Sequence, residues 1–392
     1  MSEQLDAPIV IIGSGFAAYQ LIKAIRRSDQ RVKIQVFTAD NGDDYNKPDL
    51  SHVVSKQQLA SDLVRASGLE MAEQLNFELF ANTFVDSIAP EQQQIMVAGK
   101  AYSYAKLVMA TGGRAFVPPM SGNAVDRIVT LNSLQEYQAA EQELALAKRV
   151  LVIGGGLIGS ELSMDLATAG KQVITVDPCE QLMANLLPEY IATELSKLMQ
   201  QLGVHLALNT KVTRIDLSND SSNNSGCLQV TLANGESFIV DTVISAAGLQ
   251  ANSLLAKQAG LMVNRGIVVD NQLQTSAMDV YALGDCAEIG GKVLAYLQPA
   301  LVCANALAKT LLGHETAVVL PAMLVKVKTP HYPIQLAGQA VHQVNRWQLD
   351  IDSQGSCVQA FDTDERLQGF VVAGQHMSKA FGLLKHLGKP VA

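Results

Sequence analysis

The chain has 392 residues, 48% of them hydrophobic, with 29 glycines, 12 prolines and a formal net charge of −8. That length exceeds one compact core and implies two or three domains, and the composition excludes a disordered or collagen-like chain. The acidic balance excludes a general nucleic-acid binder, which would carry a basic stripe.

Residues 1–8 lack the basic start and apolar core of a signal peptide. Residues 8–12 then form an apolar run ending at Gly13-Ser14-Gly15, followed by a helical pattern to about Arg27 and a strand near 33–38, a β-α-β start. The pattern returns at 149–153, where Gly154-Gly155-Gly156 opens a helix to about Ala169 before a strand at 172–176. His205–Leu208, Gln229–Leu232 and Ser237–Val240 read as strands, with Asn234-Gly235 as a hairpin turn. Ser218–Gly226 is polar and reads as an exposed loop tip. A helix is expected at 299–312, from Pro299 to a stop at Gly313. Beyond about 320, strands near 322–327, 334–337, 345–350 and 357–361 precede an amphipathic helix near 376–387, a small α+β domain. No apolar run approaches the roughly 20 residues that span a bilayer, so a cytoplasmic protein without membrane association is expected.

Two of these turns have the form of dinucleotide fingerprints. Gly13-x-Gly15-x-x-Ala18 allows a tight turn and close approach of backbone to a pyrophosphate at a helix N-terminus. Alone such a motif is weak, and Thr38 stands where a ribose-binding acid is usual, leaving Asp40 as the candidate or as an ordinary loop acid. Gly154-x-Gly156-x-x-Gly159, with Leu157 and Ile158 opening the helix, has all three glycines and Asp177 at the end of the next strand. An acid there accepts ribose hydroxyls and repels a 2′-phosphate, so NADH is favoured over NADPH; the bland alternative is a turn residue before Pro178. Glu161 reads either as reaching the nicotinamide end or as a helix-dipole partner. A third signal is the stretch Thr275–Asp285, which ends in Gly284-Asp285 and has the form of a strand delivering a Gly-Asp pair to a flavin's ribityl chain. Ala110-Thr111-Gly112 and Ala246-Ala247-Gly248 each end an apolar strand and read as chain crossings between domains.

The order of these motifs resembles the two-dinucleotide-binding flavoprotein reductases, and Tyr45–His52 is similar to their rubredoxin reductase branch. Leu297-Gln298-Pro299 and Pro321–Pro330 add to that resemblance, which covers essentially the whole chain. It implies an α/β chain of two Rossmann-like three-layer domains of the glutathione-reductase type plus a small C-terminal α+β domain. The FAD domain would take 1–115 and 245–318, the NAD domain 116–244, and an interface and acceptor-docking domain 319–392. It further implies that Lys47 and Pro48 lie against the FAD, that Lys328 offsets negative charge on the reduced flavin, and that Val85, in a strand Thr83–Val85, meets the adenine through its backbone. Lys47 and Lys328 also read as solvated surface charges. His52 departs from the oxygenase-coupled ferredoxin reductases, which carry a lysine there, and Leu297 from their nearby tryptophan.

The five cysteines (Cys179, Cys227, Cys286, Cys303 and Cys357) are scattered, without a C-x-x-C pair or metal-site spacing. Disulfide reductases and flavin peroxidases of related fold need thiols near the first fingerprint, and residues 19–80 contain none. The resemblance therefore implies an external one-electron acceptor, the rubredoxin domain of a flavorubredoxin or a stand-alone rubredoxin, with the reductase a monomer or weak dimer. An NADH-binding signalling flavoprotein is the alternative from another class. Such an acceptor is acidic, so docking on this acidic chain requires a local basic surface. Residues 319–392 hold seven basic and five acidic residues, and Lys379 and Lys385 are the expected docking cations, or a solvated helix face.

Overall fold

The computed structural model describes residues 7–218, 226–329 and 332–389; the expected loop tip at 218–226 falls almost wholly outside them. In chain order, β1 (Ile9–Ile12), α1 (Phe16–Ser28) and β2 (Ile34–Phe37) make the first β-α-β unit. β3 (Arg149–Ile153), α2 (Leu157–Thr168) and β4 (Gln172–Asp177) repeat it. α3 spans Leu297–Leu311. The C-terminal strands are β5 (Val325–Val327), β6 (Ile334–Gly338), β7 (Arg346–Asp352), β8 (Gly355–Phe361) and β9 (Leu367–Gly374), and α4 is Ala380–His386.

Contacts divide the chain into two units, one running up to Lys47 with Ala60–Arg114 and Leu249–Leu320, the other of Pro48–Leu59, Ala115–Gly248 and the residues from Pro321 on. The first unit is built on a parallel sheet in the order 280–282, 106–109, β1, β2, 78–80. β1 is central and wholly buried, which is why its sequence is an unbroken apolar run rather than an alternation. α1 turns Ala18, Leu21, Ile22 and Ile25 into the core and ends on Arg26 and Arg27, cations placed favourably at a helix C-terminus.

The second unit repeats the scheme with a parallel sheet in the order 205–208, β4, β3, 242–245. An antiparallel sheet of 212–217, 228–232 and 237–240 joins it, and the Asn234-Gly235 turn is present with Gly235 at φ +89°. The C-terminal sheet, in the order β5-β6-β9-β8-β7, is antiparallel throughout. It has its own core of Cys357, Phe361, Leu367, Phe370 and Val372 beneath α4.

Several expectations shift. The expected first segment, 1–115, gives up residues 48–59 to the second unit, and 115–248 cluster with the C-terminal residues while keeping separate sheets. β9 was not expected: a central strand buried on both faces lacks the alternation that marks a half-exposed one. α3 begins at Leu297, two residues before Pro299, because a proline in the first turn lacks only an N–H that needs no partner there. The segment Thr83–Val85 is not a strand; Thr83 N–H donates to the Thr38 carbonyl (2.7 Å), and Val85 is buried in the first unit's core. No helix among the described residues is long and apolar enough to cross a membrane.

Candidate functional site

In the first unit the fingerprint forms around Gly13, whose φ of +107° suits glycine and whose Cβ, were there one, would lie 2.3 Å from the Ala110 carbonyl oxygen. Only a glycine lets the turn after β1 close against the end of strand 106–109. At Gly15 a Cβ would meet nothing within 4 Å, and the α1 N-terminus has no side-chain cap. Its first-turn N–H groups and the helix dipole therefore face open space, the arrangement that binds phosphate. Ala18, at the third position, is fully buried.

Residues distant in sequence converge on this turn. A Cβ on Gly284 (φ +80°) would lie 2.8 Å from the Ala17 side chain, so the Gly-Asp pair abuts the first turn of α1. Asp285 lies 3.5 Å from the Lys47 ammonium, with the Cβ position of Gly113 3.6 Å from the Asp285 Cβ. Asp40 reaches the same turn: its carboxylate accepts from Ser14 Oγ (3.0 Å), Thr38 Oγ1 (2.6 Å) and Gly42 N–H (3.0 Å). The crossing at Thr111 and Gly112 is pinned by Asn252, which donates Nδ2 to the Thr111 carbonyl and its backbone N–H to that of Gly112, both 2.9 Å.

The second unit reproduces the cradle. Gly154 has φ +111° with its Cβ position 2.5 Å from the Ala246 carbonyl, and Gly156 again opens an uncapped helix into free space. Gly159 is tighter: a Cβ would stand 1.8 Å from the Gly154 carbonyl oxygen. Asp177 accepts from Gly155 N–H (2.6 Å) and Cys179 N–H (2.8 Å), which turns its carboxylate into the loop. Leu157 and Ile158 open α2, with Ile158 exposed, while Gly248 (φ +113°) sits beyond strand 242–245 and accepts from Phe116 N–H (2.9 Å).

Glu161 is only 2% exposed, although it lies on a helix that opens toward solvent. It accepts from Ser51 Oγ (2.7 Å) and from Lys328 N–H (2.7 Å), and His52 Nε2 stands 3.6 Å away. One turn on, buried Asp165 accepts from Val54 N–H (2.9 Å), Ser55 N–H (3.2 Å) and the Ser55 hydroxyl. The pair at i, i+4 thus clamps the segment 48–55 onto α2. Burial pushes the His52 imidazole below its ordinary value against the pull of Glu161, and the Lys328 charge adds to that lowering. Lys328 in turn directs its ammonium to the Pro48 carbonyl (2.8 Å) and to Asp49 (3.7 Å).

Of the expected residues, the structure gathers Gly13, Gly15, Ala18, Asp40, Lys47, Ala110, Thr111, Gly112, Gly284 and Asp285 in one unit, and Pro48, Gly154–Gly159, Glu161, Asp177, Gly248 and Lys328 in the other. The bonding roles of Ser14, Thr38, Ser51, Asp165 and Asn252 escaped sequence reasoning. Each acts through a hydrogen bond to a partner at least 24 residues away, and no local pattern marks it. Both cradles fit a dinucleotide: uncapped helix N-termini, open glycine positions and a carboxylate bonded to each turn. No cluster among the described residues could hold a metal ion.

Residues 7–337 match the family model of the pyridine nucleotide-disulphide oxidoreductases, and residues 317–387 match a rubredoxin binding C-terminal domain. The chain is 53% identical over 383 residues to the nitric oxide reductase FlRd-NAD(+) reductase of Aliivibrio fischeri, covering 98% of this chain and 99% of that one. It is 52% identical to the protein of the same name from Vibrio vulnificus, with the same coverage. Among solved structures, the ferredoxin reductase of Rhodopseudomonas palustris superposes with a TM-score of 0.87 over 98% of this chain and 96% of its own, at 23% identity, a likeness of fold.

Proposed function

Because the chain belongs to the pyridine nucleotide-disulphide oxidoreductase family, we propose that it is an NADH-dependent FAD oxidoreductase that passes electrons one at a time to the rubredoxin domain of a flavorubredoxin, supporting anaerobic nitric oxide reduction. The observation that carries this reading is the match, over nearly the whole length of both chains, to relatives named for that reaction. The C-terminal match to a rubredoxin-binding domain agrees with it.

FAD, when bound, supplies the conversion of a two-electron hydride into single electrons. The chain's own residues bind and orient. The first turn of α1 and Gly13–Gly15 take the FAD pyrophosphate, Asp285 accepts a ribityl hydroxyl, and Lys47, held beside Asp285, offsets negative charge. Asp40, already drawn to the turn by Ser14, is the ribose acid. The first turn of α2 takes the NADH pyrophosphate, and Asp177 accepts the adenosine ribose hydroxyls while repelling a 2′-phosphate. Glu161 acts as a positioning residue: its carboxylate is occupied by Ser51 and the Lys328 backbone, and through them it fixes Lys328, the second cation of this reading. No disulfide joins any two of the five cysteines among the described residues, so no internal disulfide intercepts the electrons.

The test is direct. The purified protein is reduced anaerobically with NADH, then mixed with flavorubredoxin and separately with an isolated rubredoxin. Rapid reoxidation by flavorubredoxin is expected. Transfer to the isolated rubredoxin alone overturns the proposed partner, and a flavin that NADH does not reduce overturns the activity.

A further inference from the structure

A docking surface for an acidic partner should combine an exposed apolar centre with a basic rim. The C-terminal sheet offers two exposed apolar features. Along the edge strand β7, Trp347, Leu349 and Ile351 are exposed, but the strand also carries Asp350 and Asp352. On α4, Phe381 is 66% exposed, and its flanks are entirely different. From Leu367 to the end the sequence contains Lys379, Lys385 and Lys389 and no Asp or Glu, in a chain whose net charge is −8.

The structure separates these three cations. Lys379 is ion-paired to Asp350, so its charge is largely spent within the fold. Lys385 and Lys389 are exposed and have no carboxylate partner among the described residues. Beneath them Leu383 and Leu384 on the opposite face of the helix, and Leu387 just past its end, pack onto the C-terminal core. The outward side chains therefore stand on a rigid base without holding it together.

We propose that the solvent face of α4, centred on Phe381 and rimmed by Lys385 and Lys389, is the surface on which the acidic electron-acceptor protein docks. This rests on the reading that electrons leave to a rubredoxin-type protein, and it places the contact on one face of the matched domain. A single aromatic anchor inside a small basic rim suits a transient electron-transfer encounter, which must release its partner after each electron.

The experiment measures reoxidation of the NADH-reduced protein against flavorubredoxin concentration and salt, with ferricyanide as a small acceptor that needs no docking. Phe381→Ala should raise the half-saturating acceptor concentration by about tenfold. Lys385→Glu should slow association by about tenfold at low salt and flatten the salt dependence. Leu349→Ser and all ferricyanide rates should be unchanged. If Phe381→Ala also loses ferricyanide activity, Lys385→Glu decides alone. A wild-type protein that reduces no rubredoxin-type acceptor overturns the functional reading and this surface with it. Intact wild-type transfer with unaltered acceptor dependence in both variants overturns the surface only. So does a dimer in sedimentation that Phe381→Ala dissociates, or binding to anionic vesicles that Lys385→Glu abolishes while acceptor dependence stays fixed.

Discussion

The two fingerprints share one piece of geometry. Gly13 at φ +107° closes against the Ala110 carbonyl, and Gly154 at φ +111° closes against the Ala246 carbonyl. They differ at the third position and at the acid. The first cradle accommodates Ala18, whereas the second leaves no room for a methyl at Gly159, so α2 lies closer to its strand turn than α1 does. Asp40 is held by two hydroxyls and one N–H, Asp177 by two backbone N–H groups. The glycine turn is thus set by backbone closure in both units, while the neighbouring acid is held by different means in each.

The hardest test of that equivalence substitutes the first glycine of each turn. Gly154→Ala should raise the NADH KM by about 100-fold or more while the protein keeps its yellow FAD absorbance, because strain and a backbone clash coincide there. Gly13→Ala should purify without flavin. Retention of both ligands by both variants would break the comparison.

Gly159→Ala, which makes the second turn resemble the first, should cost about 1–3 kcal/mol of NADH binding, read as a rise in KM of roughly 5- to 150-fold. Unchanged KM would show that the two helices approach their strands equally closely. The acids should then separate. Asp177→Ala is expected to reduce the preference for NADH over NADPH by about tenfold, measured as the ratio of kcat/KM values. Asp40→Ala should weaken FAD retention by only about 1 kcal/mol, since Ser14 and Thr38, 2.8 Å apart, can then bond each other. A larger loss of FAD would make Asp40 the more important acid.

The smallest effect concerns the carboxylate clamp on α2; α1 holds its neighbouring segments through Tyr19 and Arg26 instead. With the His52 pKa lowered by burial, the unfolded chain takes up the proton first, so folding stability falls as pH drops below about 6.5. His52→Gln should remove that component and make the fall in Tm between pH 7 and 5.5 shallower by about 1–2 °C. An identical slope in the variant would mean that His52 ionises as freely in the fold as outside it.

Much of this was legible in the linear chain because it is local. A strand, a glycine turn and a helix start within about 20 residues of each other, and their periodicity shows. The lack of thiols between 19 and 80 is a plain count. What was not legible depends on long-range contacts. Glu161 reads in the sequence as reaching the nicotinamide end or as a helix-dipole partner, yet its partners, Ser51 and Lys328, lie 110 and 167 residues away. Lys379 reads in the sequence as a docking cation, but Asp350, 29 residues earlier, pairs with it.

The sequence by itself thus determined the two glycine turns and placed an acid at the end of β4, since backbone conformation and strand-end residues are written in neighbouring positions. Only the tertiary structure decided that residues 48–59 leave the first unit for the second, that buried Glu161 and Asp165 hold them there, and which cations of the C-terminal domain remain free. A carboxylate is buried, or a lysine neutralised, by whatever packs against it, and that neighbour is chosen by the fold.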